Sequence, residues 1–142
     1  MIVLDTNILS EPDRPRPDVR VLAWLDGLDD AQVRITAPTV AELSAGAQRF
    51  LLRNGSSRYL DRLREVIEVE FVDRVLPFDL LAARVYGRLR AVREQQKGHA
   101  IKDMDAMIAA ICIVHGATLA TRNVRDFDGL DLELVNPFEA GA

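Results

Sequence analysis

The apolar residues of the chain fall into two patterns that alternate along its length. Short runs rich in β-branched residues predict strands at residues 2–4, 33–36, 118–120 and 132–135, with a further apolar pair at 75–76. Longer stretches, in which apolar residues recur three or four positions apart, predict helices at residues 19–28, 40–53, 56–67, 80–96 and 103–115. Strands and helices therefore alternate.

Turn-forming residues separate these elements. Asp5-Thr6-Asn7 is typical of a turn after the first strand, and the proline-rich stretch 11–17 is typical of a loop. Pro38-Thr39 precedes the helix at 40–53, and Lys97-Gly98 ends the long helix at 80–96.

The predicted strands at residues 2–4, 75–76 and 118–120 are short and do not alternate apolar with polar residues. Such strands, separated by helices, are typical of a mostly parallel sheet covered on both faces. We therefore expect an α/β fold, a three-layer α/β/α domain with a central sheet of four to five strands. At 142 residues, without internal repeats, the chain is expected to form a single domain over 1–142.

Composition excludes several classes of protein. No apolar run approaches the roughly 18 residues of a membrane-spanning helix. The first residues lack the pattern of a secretory signal, so we expect a cytoplasmic protein with no membrane association. With one cysteine and two histidines the chain is too poor in nitrogen and sulfur ligands for a common zinc site. A metal ion here would be bound by oxygen.

Acidic residues lie where strands end and helices begin, although each has an ordinary structural explanation. Asp5 follows the first strand, where it could cap the next backbone amides. Glu42 lies three residues after Thr39, the spacing of a capping box. Asp103 could be the N-cap of its helix, which places Asp105 in the first turn near the positive end of the helix dipole.

A fourth polar segment follows the strand at 118–120. It runs from Thr121 through Asn123 to Asp126, where Asn123 could cap a short helix. In open parallel sheets, sites form beyond the carboxyl ends of the strands, so the four polar segments could meet there. Capping explains each acid by itself, but it does not explain why all of them would lie at one edge.

Clustered carboxylates repel one another unless a cation lies between them. Oxygen ligands favour Mg²⁺ or Mn²⁺, which activate water and stabilise charge on phosphate, so phosphodiester hydrolysis is the reaction that the pattern predicts. The sequence offers no nucleophile with a partner base, because Cys112 falls within a helix and His115 ends it. We expect both to have core or capping roles.

Net charge is −4, which is not the composition of a strongly basic nucleic-acid binder. Without the five candidate acids, however, 17 acidic residues face 18 basic ones, of which 16 are Arg. Guanidinium groups suit phosphate, although clustered arginines are also common on solvated helix faces. The clusters lie at Arg49 and Arg53, at Arg58, Arg62 and Arg64, and at Arg84, Arg88, Arg90 and Arg93.

Four segments together resemble the motifs of PIN-domain ribonucleases. They are Ile-Val-Leu-Asp5-Thr-Asn, Thr39-Val-Ala-Glu42, Asp105-Ala-Met-Ile and Thr121-Arg-Asn123 followed by Asp-Phe. Over nearly its whole length the chain is most similar to VapC-type toxins of the FitB-like subgroup. The resemblance implies a Mg²⁺- or Mn²⁺-dependent endoribonuclease, the toxin of a type II toxin–antitoxin system, with Asp5, Glu42 and Asp105 as catalytic metal ligands. It also implies homodimers, RNA as substrate, a small inhibitory antitoxin, and contact with operator DNA only through that antitoxin.

One position departs from the family pattern. The fourth motif often carries Asp where this chain has Asn123, and an amide is a weaker, uncharged ligand. Asp126 or Asp103 could compensate, and Thr6, Asn7 and Thr121 could orient ligands or waters. The number of metal ions is left open by this substitution.

Two other functions compete with the ribonuclease. In a haloacid-dehalogenase-like phosphatase Asp5 would be the nucleophile, but residue 7 is Asn rather than Asp, and Lys97 and Lys102 are poor candidates for the required lysine. A catalytically weak PIN-like binding module is the second alternative. Apolar residues at Phe50, Leu51 and Tyr59 could form a partner surface or belong to the core.

Overall fold

The computed structural model describes residues 1–96 and 100–139 and shows a parallel five-stranded sheet. Its strand order is β3-β2-β1-β4-β5. The strands are β1 (Ile2–Leu4), β2 (Val33–Thr36), β3 (Val75–Leu76), β4 (Thr118–Ala120) and β5 (Glu133–Val135). The predicted fold class is therefore confirmed. β1 lies at the centre, so its carboxyl end meets those of β2 and β4.

Six α-helices connect the strands. They are α1 (Thr6–Leu9), α2 (Val19–Asp26), α3 (Ala37–Asn54), α4 (Arg58–Glu65), α5 (Leu80–Gln95) and α6 (Asp103–His115). Short 3₁₀ turns occupy Glu11–Asp13, Asp30–Gln32 and Val124–Phe127, and a π-helical turn, Val66–Glu70, follows α4. None of the helices within the described residues is long and apolar enough to cross a bilayer.

Alternating strand residues supply two apolar layers, one on each face of the sheet. Val3 and Leu119 contact the layer that contains α5 and α6, whereas Leu4 and Ala120 contact the layer that contains α1 and α2. Most of α6 is buried, including Cys112, which is fully inaccessible and belongs to this core as expected. A helix held this firmly fixes the position of its first turn at the sheet edge.

Several predicted boundaries were wrong. Residues 6–9 form a helix rather than a turn, because Asp5 accepts the Thr6 N–H and caps it. Helix α3 begins at Ala37, three residues earlier than predicted, with Thr36 as its N-cap. The capping box of Thr39 and Glu42 is therefore absent, since both residues lie inside the helix. The predicted stop at Lys97-Gly98 lies outside the described residues.

Candidate active site

Asp5 is held at the carboxyl end of β1 by hydrogen bonds to both carboxylate oxygens. Oδ1 accepts the Thr6 N–H at 2.8 Å, and Oδ2 accepts the Thr121 hydroxyl at 2.8 Å and the Asn7 amide at 3.4 Å. The residue is 4% exposed. Burial raises the pKa of Asp5, the charge of Asp126 raises it further, and the hydrogen bonds oppose both effects.

Glu42 lies in the second turn of α3 and is connected to α1. Its Oε1 accepts the Thr6 hydroxyl at 3.1 Å, and Thr39 Oγ1 lies 3.4 Å from the same Thr6 oxygen. Thr39 is fully buried, and its N–H donates to Thr36 Oγ1 at 3.3 Å. These threonines position Glu42 on the same side of the sheet edge as Asp5.

Asp105 projects from the first turn of α6 and is partly buried. Burial raises the pKa of Asp105 to about 6, and the charges of Asp5, Asp126 and Glu42 contribute to the increase. Lys102 partly offsets it. The predicted acids at residues 5, 42, 105 and 126 therefore share one electrostatic field.

The segment after β4 is attached to the segment after β1. Besides the bond from Thr121 to Asp5, the Arg122 N–H donates to Asn7 Oδ1 at 3.2 Å, and the Asn123 N–H donates to Thr121 Oγ1 at 3.0 Å. Asn123 itself is exposed and precedes the 3₁₀ turn Val124–Phe127 without a side-chain capping bond. Its predicted capping role is therefore wrong.

Asp126 is positioned through its main chain by a buried arginine. The guanidinium of Arg93, a residue only 3% exposed, donates to the Asp126 carbonyl at 2.7 Å and to the Asp128 carbonyl at 3.4 Å. Arg93 belongs to one of the arginine clusters for which the sequence left phosphate binding and a solvated helix face open, and in the structure it is buried and donates to these carbonyls.

Asp103 has different neighbours from Asp105, although both lie in the first turn of α6. Its carboxylate pairs with the Arg90 guanidinium and accepts the Tyr86 hydroxyl at 3.3 Å. The N-cap position belongs to Lys102, so the predicted capping role of Asp103 is wrong.

Comparison with known proteins agrees with this arrangement. The family model described as the PIN domain matches residues 2–131. The chain belongs to the PIN-domain family. As a PIN domain it is 41% identical to toxin FitB of Neisseria gonorrhoeae over 140 residues, which cover 97% of this chain and 99% of FitB. It is 38% identical to VapC ribonuclease Y4jK of Sinorhizobium fredii, with 98% of this chain and 99% of that protein covered.

The fold of this PIN domain also matches that of a solved structure, FitAB bound to an IR36 DNA fragment. The TM-score is 0.88 at 39% identity, and the match covers 100% of this chain and 99% of the other. The predicted resemblance to the FitB-like group of VapC proteins is confirmed. The phosphatase alternative receives no support from these relatives.

The site of this PIN domain has the donor chemistry for a hard cation, since it offers carboxylate oxygens from residues 5, 42, 105 and 126. In residues 1–96 and 100–139, however, no three acidic, histidine or cysteine side chains are grouped closely enough to hold one ion. Like charges in one field favour separation, and Asp5 and Glu42 are held by hydrogen bonds to threonines. The donor set fits Mg²⁺ or Mn²⁺ in chemical type, and three of these side chains would have to move closer together to bind one ion.

Three arginines that the sequence interpretation did not single out, Arg14, Arg16 and Arg122, line a cleft of about 260 Å³. The alternation of arginine with proline at residues 14–17 could have indicated them. Among the predicted clusters, Arg62 instead pairs with Asp13 and Glu70, and Arg58 lies over Phe50 and Tyr59.

Proposed function

We propose that this PIN domain is a metal-dependent endoribonuclease, the toxin of a type II toxin–antitoxin pair. The observation that carries the proposal is the field that four carboxylates share at the carboxyl edge of a parallel sheet. Burial, and to a lesser extent this field, raises the pKa of Asp5 and of Asp105. Such a field is costly to the protein by itself and favours a bound divalent cation. The similarity to VapC ribonuclease Y4jK supports RNA as the substrate.

Asp5, Glu42 and Asp105 would hold the ion. When bound, Mg²⁺ or Mn²⁺ supplies water activation and stabilises negative charge on the phosphate. Asp5 is the most firmly oriented of the three, because the Thr121 hydroxyl and Thr6 N–H leave its carboxylate little freedom. At pH 7 Asp105 is largely ionised, since its pKa lies near 6. Thr6 orients Glu42 in the same way.

The nucleophile is water, because the cysteine cannot serve. Cys112 is fully buried in α6, and burial raises the pKa of its thiol to about 12. Asp5 is a poor covalent nucleophile in this setting, since both of its oxygens accept hydrogen bonds.

The test is cleavage of end-labelled RNA by purified, partner-free protein. We expect fragments with Mg²⁺ or Mn²⁺ and none with a chelator. RNA from the host is included as substrate, because the sequence and shape that the enzyme reads are not specified by the fold. Intact RNA under all of these conditions would support the binding-module alternative instead.

The chain also has a surface suited to an inhibitory partner. A groove of about 430 Å³ between α1, α3 and α4 is lined by Leu9, Leu43, Phe50, Tyr59 and Leu63, and Glu42 is also among its lining residues. Phe50 and Tyr59 form an edge-to-face pair in this groove. For these two residues the sequence left a partner surface and a core role open. A small antitoxin in this groove would block access to the carboxylates, and DNA would be contacted through that antitoxin.

Gly46 lines this groove on α3, and an added Cβ there would meet no atom within 4 Å. Gly46→Trp is therefore expected to fill the groove and to abolish copurification of a small protein from the native host. Intact-mass spectrometry of the purified sample shows whether the small protein has copurified.

Gly87→Trp is the matched control, because Gly87 is an equally open glycine on α5, outside the groove. Retention of the small protein by Gly46→Trp, or its loss from both variants, would contradict docking in this groove.

A further inference from the structure

A second cavity is lined by none of the four carboxylates of the proposed catalytic centre. We call it the arginine cleft. It measures about 260 Å³ and is lined by Glu11, Arg14, Arg16, Asp18, Arg122 and Phe138.

The arginine cleft adjoins the catalytic centre through covalent and hydrogen-bonded neighbours. Arg122 directly follows Thr121, whose hydroxyl donates to Asp5, and the Arg122 N–H donates to Asn7. Arg14 lines both the arginine cleft and the apolar groove that Glu42 also lines. The arginine cleft is therefore connected both to the segment that holds Asp5 and to the groove that Glu42 lines.

The positive charge of the cleft is available to a ligand. Asp18 is already engaged by Arg20, which donates to it at 3.1 and 2.7 Å. Glu11 is buried, and its closest cationic contact is Arg14 at 3.9 Å. Within the parts of the chain that the structure describes, neither Arg16 nor Arg122 forms an ion pair with a carboxylate.

The backbone at Arg14 and Arg16 and the side chain of Arg122 are also restricted before any ligand binds. Residues 14–17 read Arg-Pro-Arg-Pro, and each proline restricts the backbone beside an arginine. The Arg122 guanidinium lies over the Phe138 ring, 4.6 Å from its centroid. Restricted side chains lose less entropy on binding, which favours a specific contact over a diffuse one.

We infer that the arginine cleft binds a phosphate of the RNA substrate next to the phosphodiester bond that is cut. This inference rests on the proposed ribonuclease function. The acidic field that suits a metal ion repels the RNA backbone, and the chain as a whole is negative. Guanidinium forks at the edge of that field offset the repulsion and match the oxygens of a phosphodiester.

Two measurements test the inference. Cleavage of a defined single-stranded RNA with Mn²⁺ gives kcat and KM, and fluorescence anisotropy of the same labelled RNA in chelator gives affinity against salt concentration. Arg16→Gln and Arg122→Gln are each expected to raise KM by roughly tenfold, with kcat within about twofold, as for loss of a phosphate contact. Each should also weaken the salt dependence, so that the slope of log K against log salt becomes less negative by about 0.7.

Arg88→Gln is the charge-matched control, because Arg88 is exposed on α5 and lies outside the cleft. We expect it to leave KM and the salt slope unchanged. Arg122→Lys retains the positive charge but lacks the guanidinium fork, so its KM should lie between those of wild type and Arg122→Gln.

The outcomes separate this inference from the proposed function. If wild type cleaves RNA and the cleft variants keep its KM and salt slope, the inference is overturned while the ribonuclease stands. If the cleft variants lose a bound acidic partner protein but not RNA affinity, the cleft belongs to that partner and the inference is also overturned. If wild type neither binds nor cleaves RNA, the proposed function itself is wrong.

Discussion

Asp105→Asn is expected to lower the rate of RNA cleavage by more than about 100-fold, whereas Asp103→Asn should change it by less than about threefold. Both residues lie in the first turn of α6, and both replacements remove one negative charge. They differ in what surrounds them. Asp105 shares the field of Asp5, Glu42 and Asp126, whereas Asp103 pairs with Arg90.

The measurement is the initial rate of cleavage of end-labelled RNA with saturating Mn²⁺. Circular dichroism and thermal melts of both variants check that each is folded. Asp5→Asn provides a second loss-of-function variant from a different strand. Equal activity of Asp103→Asn and Asp105→Asn would contradict the assignment of Asp105 as a metal ligand.

Divalent metal is expected to stabilise the wild-type protein and to leave Asp105→Asn largely unaffected. An ion that binds only the folded state adds roughly 2.7 kcal/mol to the free energy of unfolding at 100 times its dissociation constant. Thermal or urea unfolding with increasing Mn²⁺ measures this gain. Without any gain in the wild type at millimolar Mn²⁺ and above, the metal centre would be absent.

In chelator, wild type is expected to be less stable than Asp105→Asn at high pH. Folding raises the pKa of Asp105 from 3.8 to about 6, so the folded state binds its proton more tightly than the unfolded chain does. The stability that this proton contributes is fully present below pH 4 and is lost as pH rises through 6. Asp105→Asn, which cannot ionise, should therefore be more stable than wild type at pH 8 and nearly equal to it at pH 4.

Unfolding in chelator at both pH values tests this expectation. Asp103→Asn is again the control, because removal of its carboxylate breaks the pair with Arg90 and does not relieve the acidic field. A wild type that is as stable as Asp105→Asn at pH 8 would show that burial and the neighbouring carboxylates do not destabilise ionised Asp105 as the structure indicates.

Local patterns in the sequence determined the elements whose signals are strong by themselves. The predicted helix at 103–115 is the observed α6, since its apolar residues are continuous and Gly116 adopts the left-handed conformation that ends it. The strand at 118–120 also has the bounds that its short run of residues predicts. The order of strands and helices also sufficed to predict a parallel sheet with acids at its carboxyl edge.

Only the tertiary structure decided which polar residues act together. Thr36 rather than Thr39 caps α3, and this leaves Glu42 inside the helix, where Thr6 from another segment reaches it. Asp103 and Asp105 look equivalent in the sequence, but only Asp103 forms an ion pair with Arg90 from α5 among the residues that the structure describes.

The arginines illustrate the same point. Two of those grouped in the sequence, Arg62 and Arg93, bind a carboxylate or carbonyls from distant segments, whereas Arg16 and Arg122, far apart in the chain, line one cleft. Periodicity and capping depend on neighbours a few residues apart and can be read from sequence. Burial, ion pairs such as Arg62 with Asp13 and hydrogen bonds such as Thr121 with Asp5 depend on contacts between distant segments of the chain, and these exist only once the chain has folded.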